Sequence, residues 1–298
     1  MRTAALFLSC ILIWGSTWYA ITFQLGAVPV QWSVTWRFLI AATVLFGYCA
    51  ISGRSLRLRL RGHLTCAGLG AMFFSVNYAF VYWGTDYLPS GLVAVLFSMI
   101  AILNQVNGAL FLGQRIEARV LFGALAGLGG LVLIFLPEIE RLSLDSSAVT
   151  GILLVLTGTL IASFGNTVAA SGSGRSLPLL VFNGYGMLYG ALIMAVIALL
   201  MGQPPAIATD APYLLSLLYL AVLGTVVTFT MYLTLLKTVG VGRAAYIPVA
   251  IPVVALAIST LFEGYSWTFA AGAGVLLVVG GNLLLIRRRP AASAQADD

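Results

Sequence analysis

The sequence predicts an all-α integral membrane protein: ten transmembrane helices in two inverted five-helix repeats, with N- and C-termini cytoplasmic. Three observations carry that prediction. The chain is 61% hydrophobic and only 8% charged, with a mean hydropathy of +1.04, which a soluble core does not match. Its apolar residues fall into ten stretches near the roughly 20 residues that a bilayer core of ~30 Å requires. Its basic residues gather on alternate connections.

The first stretch, 4–25, follows Arg2 and carries Trp14, Thr17 and Trp18 on one helical face. It is too long for the apolar region of a signal peptide and has no convincing cleavage site, so it reads as a retained helix. The second, 31–51, holds Arg37, the one charge well inside a span, about six residues or roughly 9 Å from its outer end. The third, 63–84, bears Asn77, Tyr78, Tyr82 and Trp83; the fourth, 90–112, bears Ser98, Asn104, Gln105 and Asn107. The fifth, 120–136, is rich in glycine, with Gly123 and Gly127 spaced for close packing. Ser163, Asn166 and Thr167 mark the sixth, 149–170. Pro178 and Pro212 start the seventh, 178–201, and the eighth, 212–236, which carries Thr225, Thr228 and Tyr232. In the ninth, 244–262, Tyr246 is followed by Pro248 and Pro252, whose missing donors bend the helix. Gly272, Gly280 and Gly281 of the tenth, 268–286, read as packing residues, with homo-oligomer contacts as the other reading.

Charge orients the array. With Met1 inside, the cytoplasm receives Arg2, Arg54, Arg57, Arg59, Arg61, Arg115, Arg119, Arg175, Lys237, Arg243 and Arg287 to Arg289, 13 of the 15 basic residues. Only Arg141 lies outside, which satisfies the positive-inside rule. Asp86, Glu138, Glu140, Asp145, Asp210 and Glu263 lie outside in agreement. The net charge of +6 therefore reports topology, and no nucleic-acid partner is expected. Cys10, Cys49 and Cys66 are odd in number, lie within spans and lack metal spacing, so they read as packing residues.

The chain also repeats itself. Phe111–Ile134 aligns with Leu261–Ile286, placing Gln114 opposite Glu263 and Gly123 opposite Gly272. Tyr82–Leu96 shares its layout with Thr234–Pro248. The unit is thus five spans, and an odd unit must enter the membrane from the opposite side the second time, an architecture recurrent in secondary transporters. The expected organisation is one transmembrane domain, 1–298, built from repeats 1–140 and 149–287, with a short cytoplasmic tail at 288–298.

IWGSTWYAI (Ile13–Ile21), WRFLIAA (Trp36–Ala42), the LGQR and FEG ends of spans four and nine, and Tyr219–Val254 together resemble the ten-helix EamA-type group of the drug/metabolite transporter superfamily. The chain departs from that group at Gln114, where many relatives carry Glu, and at Met99–Leu103, where they carry a proline. The resemblance implies a multi-pass cell (inner) membrane carrier that moves small organic solutes, often outward, as an exporter or exchanger. It also implies a central cavity lined by spans one, three, four, six, eight and nine, with five and ten peripheral.

Polar side chains facing lipid tails would be left unpaired, so the polar faces should turn toward protein or a cavity. Trp14, Thr17, Trp18, Asn77, Tyr78, Tyr82, Ser98, Asn104, Asn166, Thr228, Tyr232 and Tyr246 are the candidate cavity residues; interhelical hydrogen bonding and interface anchoring are the alternatives. This set is neutral and aromatic, suited to uncharged or zwitterionic solutes such as amino acids. Arg37, Asp86 and Glu263 are the gating or structural charges: Arg37 either snorkels outward, pairs with Asp86 or Glu263, or attracts a solute carboxylate. His63 reads as solvated. No nucleotide-binding loop, mid-span carboxylate or gathered metal ligands are present in the sequence, so neither an enzyme nor a cofactor is expected. Facilitated diffusion or exchange by alternating access is expected, with a passive channel as the alternative.

Overall fold

The computed structural model describes residues 2–26, 28–114, 118–141, 147–232, 234–235 and 246–286. Among them lie helices α1 (Arg2–Thr22), α2 (Val30–Ile51), α3 (Leu60–Thr85), α4 (Ser90–Leu112) and α5 (Ala118–Arg141). In the second half come α6 (Ser147–Ala170), α7 (Leu179–Leu200), α8 (Ala211–Tyr232), α9 (Tyr246–Phe262) and α10 (Phe269–Ile286). No strand occurs among the described residues. Seven of these helices (α1 to α4 and α6 to α8) are long and apolar enough to cross a membrane. In α5, α9 and α10 the described apolar runs are shorter: Leu125–Ile134, Ile247–Phe262 and Phe269–Leu283. Arg115, Asp145, Lys237, Arg243, Arg287 to Arg289 and the tail lie outside the described residues.

Local chemistry sets the helix ends. Pro29, Pro89 and Pro178 stand as N-caps, where a missing N–H costs no helical bond. Asp210 caps α8 by accepting from the Tyr213 N–H at 2.9 Å. Gly53 and Gly202 follow the C-caps of α2 and α7 at φ +65° and +72°, a left-handed conformation that glycine adopts freely. α5 runs on to Arg141, so the connection expected at 137–148 is shorter than the sequence suggested.

Within a bilayer no hydrophobic force draws one apolar helix to another, so close packing must. A Cβ on Gly130 would meet the Gly274 carbonyl at 2.5 Å, and one on Gly281 would meet the Gly123 carbonyl at 2.6 Å. These pairs bring α5 and α10 together at backbone distance. Gly272 and Gly280, expected to pack, have nothing within 4 Å. The 3.6-residue period turns them away from the face that carries Gly274 and Gly281. Cys10, Cys49 and Cys66 are buried and free.

The packing partners repeat when the halves are exchanged. α6 lies against α3 and α4, as α1 lies against α8 and α9. α2 pairs with α7, α4 with α9 and α5 with α10. One core joins α2, α3 and α7 through Phe38, Phe74, Tyr82 and Met187. A second joins α4, α9 and α10 through Val93, Leu96, Leu256 and Val278. Trp18 of α1 packs against both.

Candidate functional site

Arg37 does not snorkel. On α2 it is 4% exposed, walled in by rings of α2 and α3. Its Nη1 donates to the Tyr82 hydroxyl at 3.2 Å, while its guanidinium carbon lies 4.8 Å from the Tyr78 ring centroid and 5.3 Å from that of Phe38. Desolvated cation–π contacts of this kind are worth about 2 kcal/mol. They stand in for a counter-ion, because no carboxylate among the described residues pairs with it, and its Nε–H has no partner there. The expected pairing with Asp86 or Glu263 is corrected. Glu263 instead accepts from the Ser90 N–H at 3.0 and 3.2 Å and from the Ser90 hydroxyl at 2.7 Å. It thereby caps α4 from the α9 end. Asp86 sits exposed beyond α3, its carboxyl raised above the ordinary value by partial desolvation.

A second group forms where α1 meets α8. Trp14 donates its indole N–H to the Gly224 carbonyl at 2.9 Å and packs on Phe229 and Tyr232, with centroids 5.7 and 5.3 Å apart. Thr17 and Thr228 spend their hydroxyls on local carbonyls, of Trp14 and Leu223. Trp18 leaves this group and packs, tilted, on Phe97 of α4 with ring centroids 5.2 Å apart. The single face read on the first span is therefore shared between two neighbours.

The third group ties α4 to α6. Asn166 donates to the Asn104 side-chain oxygen at 3.3 Å, and Asn107 donates to the Ser163 hydroxyl at 2.8 Å. Ser98 accepts from Asn282 of α10 at 3.3 Å and donates to the Val95 carbonyl. That local bond accompanies a break in α4 at Met99, where no proline stands. Asn77 is 1% exposed with its side-chain oxygen unpartnered among the described residues. Pro252 lies inside α9, and Pro248 is the third of its described residues. The Tyr246 side chain lies outside the described residues. Among the described residues no hydrogen bond or ring contact joins the three groups. None of the candidate residues lines the apolar hollow of about 810 Å³ between α1 and α8.

Two features escaped the sequence. α3 widens into a π-helix at Met72–Val76 and α8 at Tyr219–Val227, segments about 150 residues apart and thus at matching places in the two repeats. Such turns concentrate at functional sites. The only trace in the sequence is Thr225 and Thr228, whose hydroxyls bond carbonyls five residues back. His63 is also not simply solvated: its Nδ1 meets the Tyr189 hydroxyl at 2.8 Å.

The sequence profile of the EamA-like transporter family matches residues 1–136 and again 149–287. The chain belongs to the EamA-like transporter family. It is 26% identical over 275 residues to the uncharacterized transporter YoaV of Bacillus subtilis, covering 92% of this chain and 93% of that one. A probable amino-acid metabolite efflux pump of Escherichia coli is 26% identical over 291 residues, covering 94% and 93%. A crystal structure 20% identical in sequence shares the fold at a TM-score of 0.66, covering 95% of this EamA-like chain and 96% of its own.

Proposed function

We propose that this EamA-like transporter is a secondary carrier of small neutral or zwitterionic solutes such as amino acids or related metabolites, working by alternating access. It is a multi-pass protein of the cell (inner) membrane. The observation that carries the reading is Arg37, a buried cation held by Tyr78 and Tyr82 with no carboxylate partner among the described residues. A buried guanidinium with a free N–H has the chemistry to accept a solute carboxylate. The half-buried rings of Trp14, Tyr78 and Tyr232 suit the rest of a zwitterion, including its ammonium.

The proposed topology is ten spans in two inverted repeats, 1–140 and 149–287, with both termini inside. The packing that repeats under exchange of halves, the paired π segments and the two family matches support it. In that topology Arg37 and Glu263 lie in the outer half, and Asn104, Asn166 and Tyr232 lie toward the inside. Rocking the halves would part Ser90 from Glu263 and bring Arg37 to the outer solution. The name of the Escherichia coli relative favours an amino-acid-like cargo.

Proteoliposomes test the reading. Saturable uptake of labelled amino acids, accelerated by unlabelled solute inside and lost in Arg37→Ala, is expected. Flux that does not saturate would point to a channel, and uptake unaffected by Arg37→Ala would remove the cationic site.

A further inference from the structure

Beyond the solute pathway, a basic hollow lies where the α2–α3 connection meets the α6–α7 connection. The first of these reads Leu56-Arg57-Leu58-Arg59-Leu60-Arg61. Arg59 is extended, at φ −77° and ψ 160°, and in extended chain alternate side chains point to opposite sides. Leu58 packs inward on the α2–α3–α7 core together with Leu177. Leu58 and Leu177 border the hollow as well, beside the exposed Arg57 and Arg59, and Arg61 joins them from the first turn of α3. The three arginines line a hollow of about 680 Å³ whose far wall carries Ser171, Ser173 and Ser176.

The hollow is a built one. The Tyr185 hydroxyl donates to the Leu56 carbonyl at 3.2 Å, and Tyr189 engages His63, so α7 pins the connection in place. Ser171 caps the short helix Gly172–Arg175 by accepting from the Gly174 N–H at 3.2 Å, which orders the opposite wall. Among the described residues none of the three arginines meets a carboxylate. Leu60, Leu64 and Leu179 nearby are exposed apolar side chains at 76%, 65% and 45%.

We infer that this hollow binds a phosphate group, carried by an anionic lipid headgroup or free in the cytoplasm. Guanidinium forks match phosphate oxygens in pairs, and basic pockets at the cytoplasmic ends of spans take anionic headgroups. The exposed leucines beside it provide an apolar surface against which a headgroup's acyl chains could lie. Topology alone asks for cytoplasmic arginines, but not for three of them lining one hollow whose other wall carries serines. A phosphate bound there would bridge a connection of the first half to one of the second.

The test uses the full-length protein in neutral detergent, with binding followed by native mass spectrometry and melting temperature. Phosphatidylglycerol should bind and raise the melting temperature, whereas phosphatidylcholine should not. The triple variant Arg57→Lys, Arg59→Lys, Arg61→Lys keeps every charge, and hence the topology, but loses the forks. It should bind phosphatidylglycerol about tenfold more weakly. Retention of inorganic phosphate without preference for phosphatidylglycerol would assign the site to free phosphate. A lysine variant that binds as the wild type does would reduce the site to diffuse surface charge and overturn the proposal. So would equal binding of the two lipids with no retention of phosphate.

Discussion

Glu263, beyond the end of α9, holds the first turn of α4 with both carboxylate oxygens, taking the Ser90 N–H at 3.0 and 3.2 Å and the Ser90 hydroxyl at 2.7 Å. A residue near the end of α9 thus caps the start of α4, tying together two helices 173 residues apart in sequence. Charged caps of this kind are worth about 1–2 kcal/mol. Glu263→Ala should lower stability by that amount in thermal unfolding of the purified protein. Glu263→Gln, which can still accept a hydrogen bond, should lose less. Equal losses would show that the contact is made by packing alone.

Arg37 and Tyr82 should couple. Tyr82→Phe removes the hydroxyl that accepts from Arg37 Nη1 and leaves the rings in place. A buried hydrogen bond to a charge is worth about 1.5–3 kcal/mol, so Tyr82→Phe should destabilise the wild type by about that much and Arg37→Ala far less. A double-mutant cycle read by thermal unfolding measures this; an interaction energy near zero would contradict the geometry.

Gly130 and Gly274 admit no side chain. A Cβ on either would strike the carbonyl of the other, which belongs to backbone and cannot turn aside. Gly130→Ala and Gly274→Ala should each cost about 1–3 kcal/mol by forcing α5 from α10. Gly272→Ala and Gly280→Ala meet open space and should stay within about 0.5 kcal/mol of the wild type. Urea or thermal unfolding of the four variants distinguishes the two pairs.

Trp14 holds a carbonyl of the π segment. Trp14→Phe keeps the ring packing on Phe229 and Tyr232 but abandons the Gly224 carbonyl at 2.9 Å. A loss of about 1 kcal/mol is expected. Hydrogen exchange of Tyr219–Val227 should rise in the variant; unchanged protection would mean that the segment is held by other bonds.

Helix positions were legible because a lipid-facing backbone has to satisfy itself within one segment, and apolar length then marks the element directly. Pro178 and Pro212 marked two helix starts for the same local reason. Side-chain partners were not legible. For Arg37 the sequence leaves open snorkelling, pairing with Asp86 or Glu263, and attraction of a solute carboxylate, because it does not reveal that the rings of Tyr78 and Phe38 enclose the guanidinium. Of Gly272, Gly280 and Gly281, singled out by their spacing, Gly281 makes the close contact, while Gly272 and Gly280 meet open space and Gly274, not singled out, supplies the other.

By itself the sequence determined that the chain is helical, where its apolar helices run and to which family it belongs, since each follows from composition and order along the chain. The tertiary structure alone decided that Glu263 caps Ser90, that Arg37 is enclosed by rings and that α3 and α8 widen into matching π segments. The physical reason is that such contacts depend on helix rotation and on close approach between segments as much as 218 residues apart, and apolar periodicity in one strand of text does not encode the angle at which two helices meet.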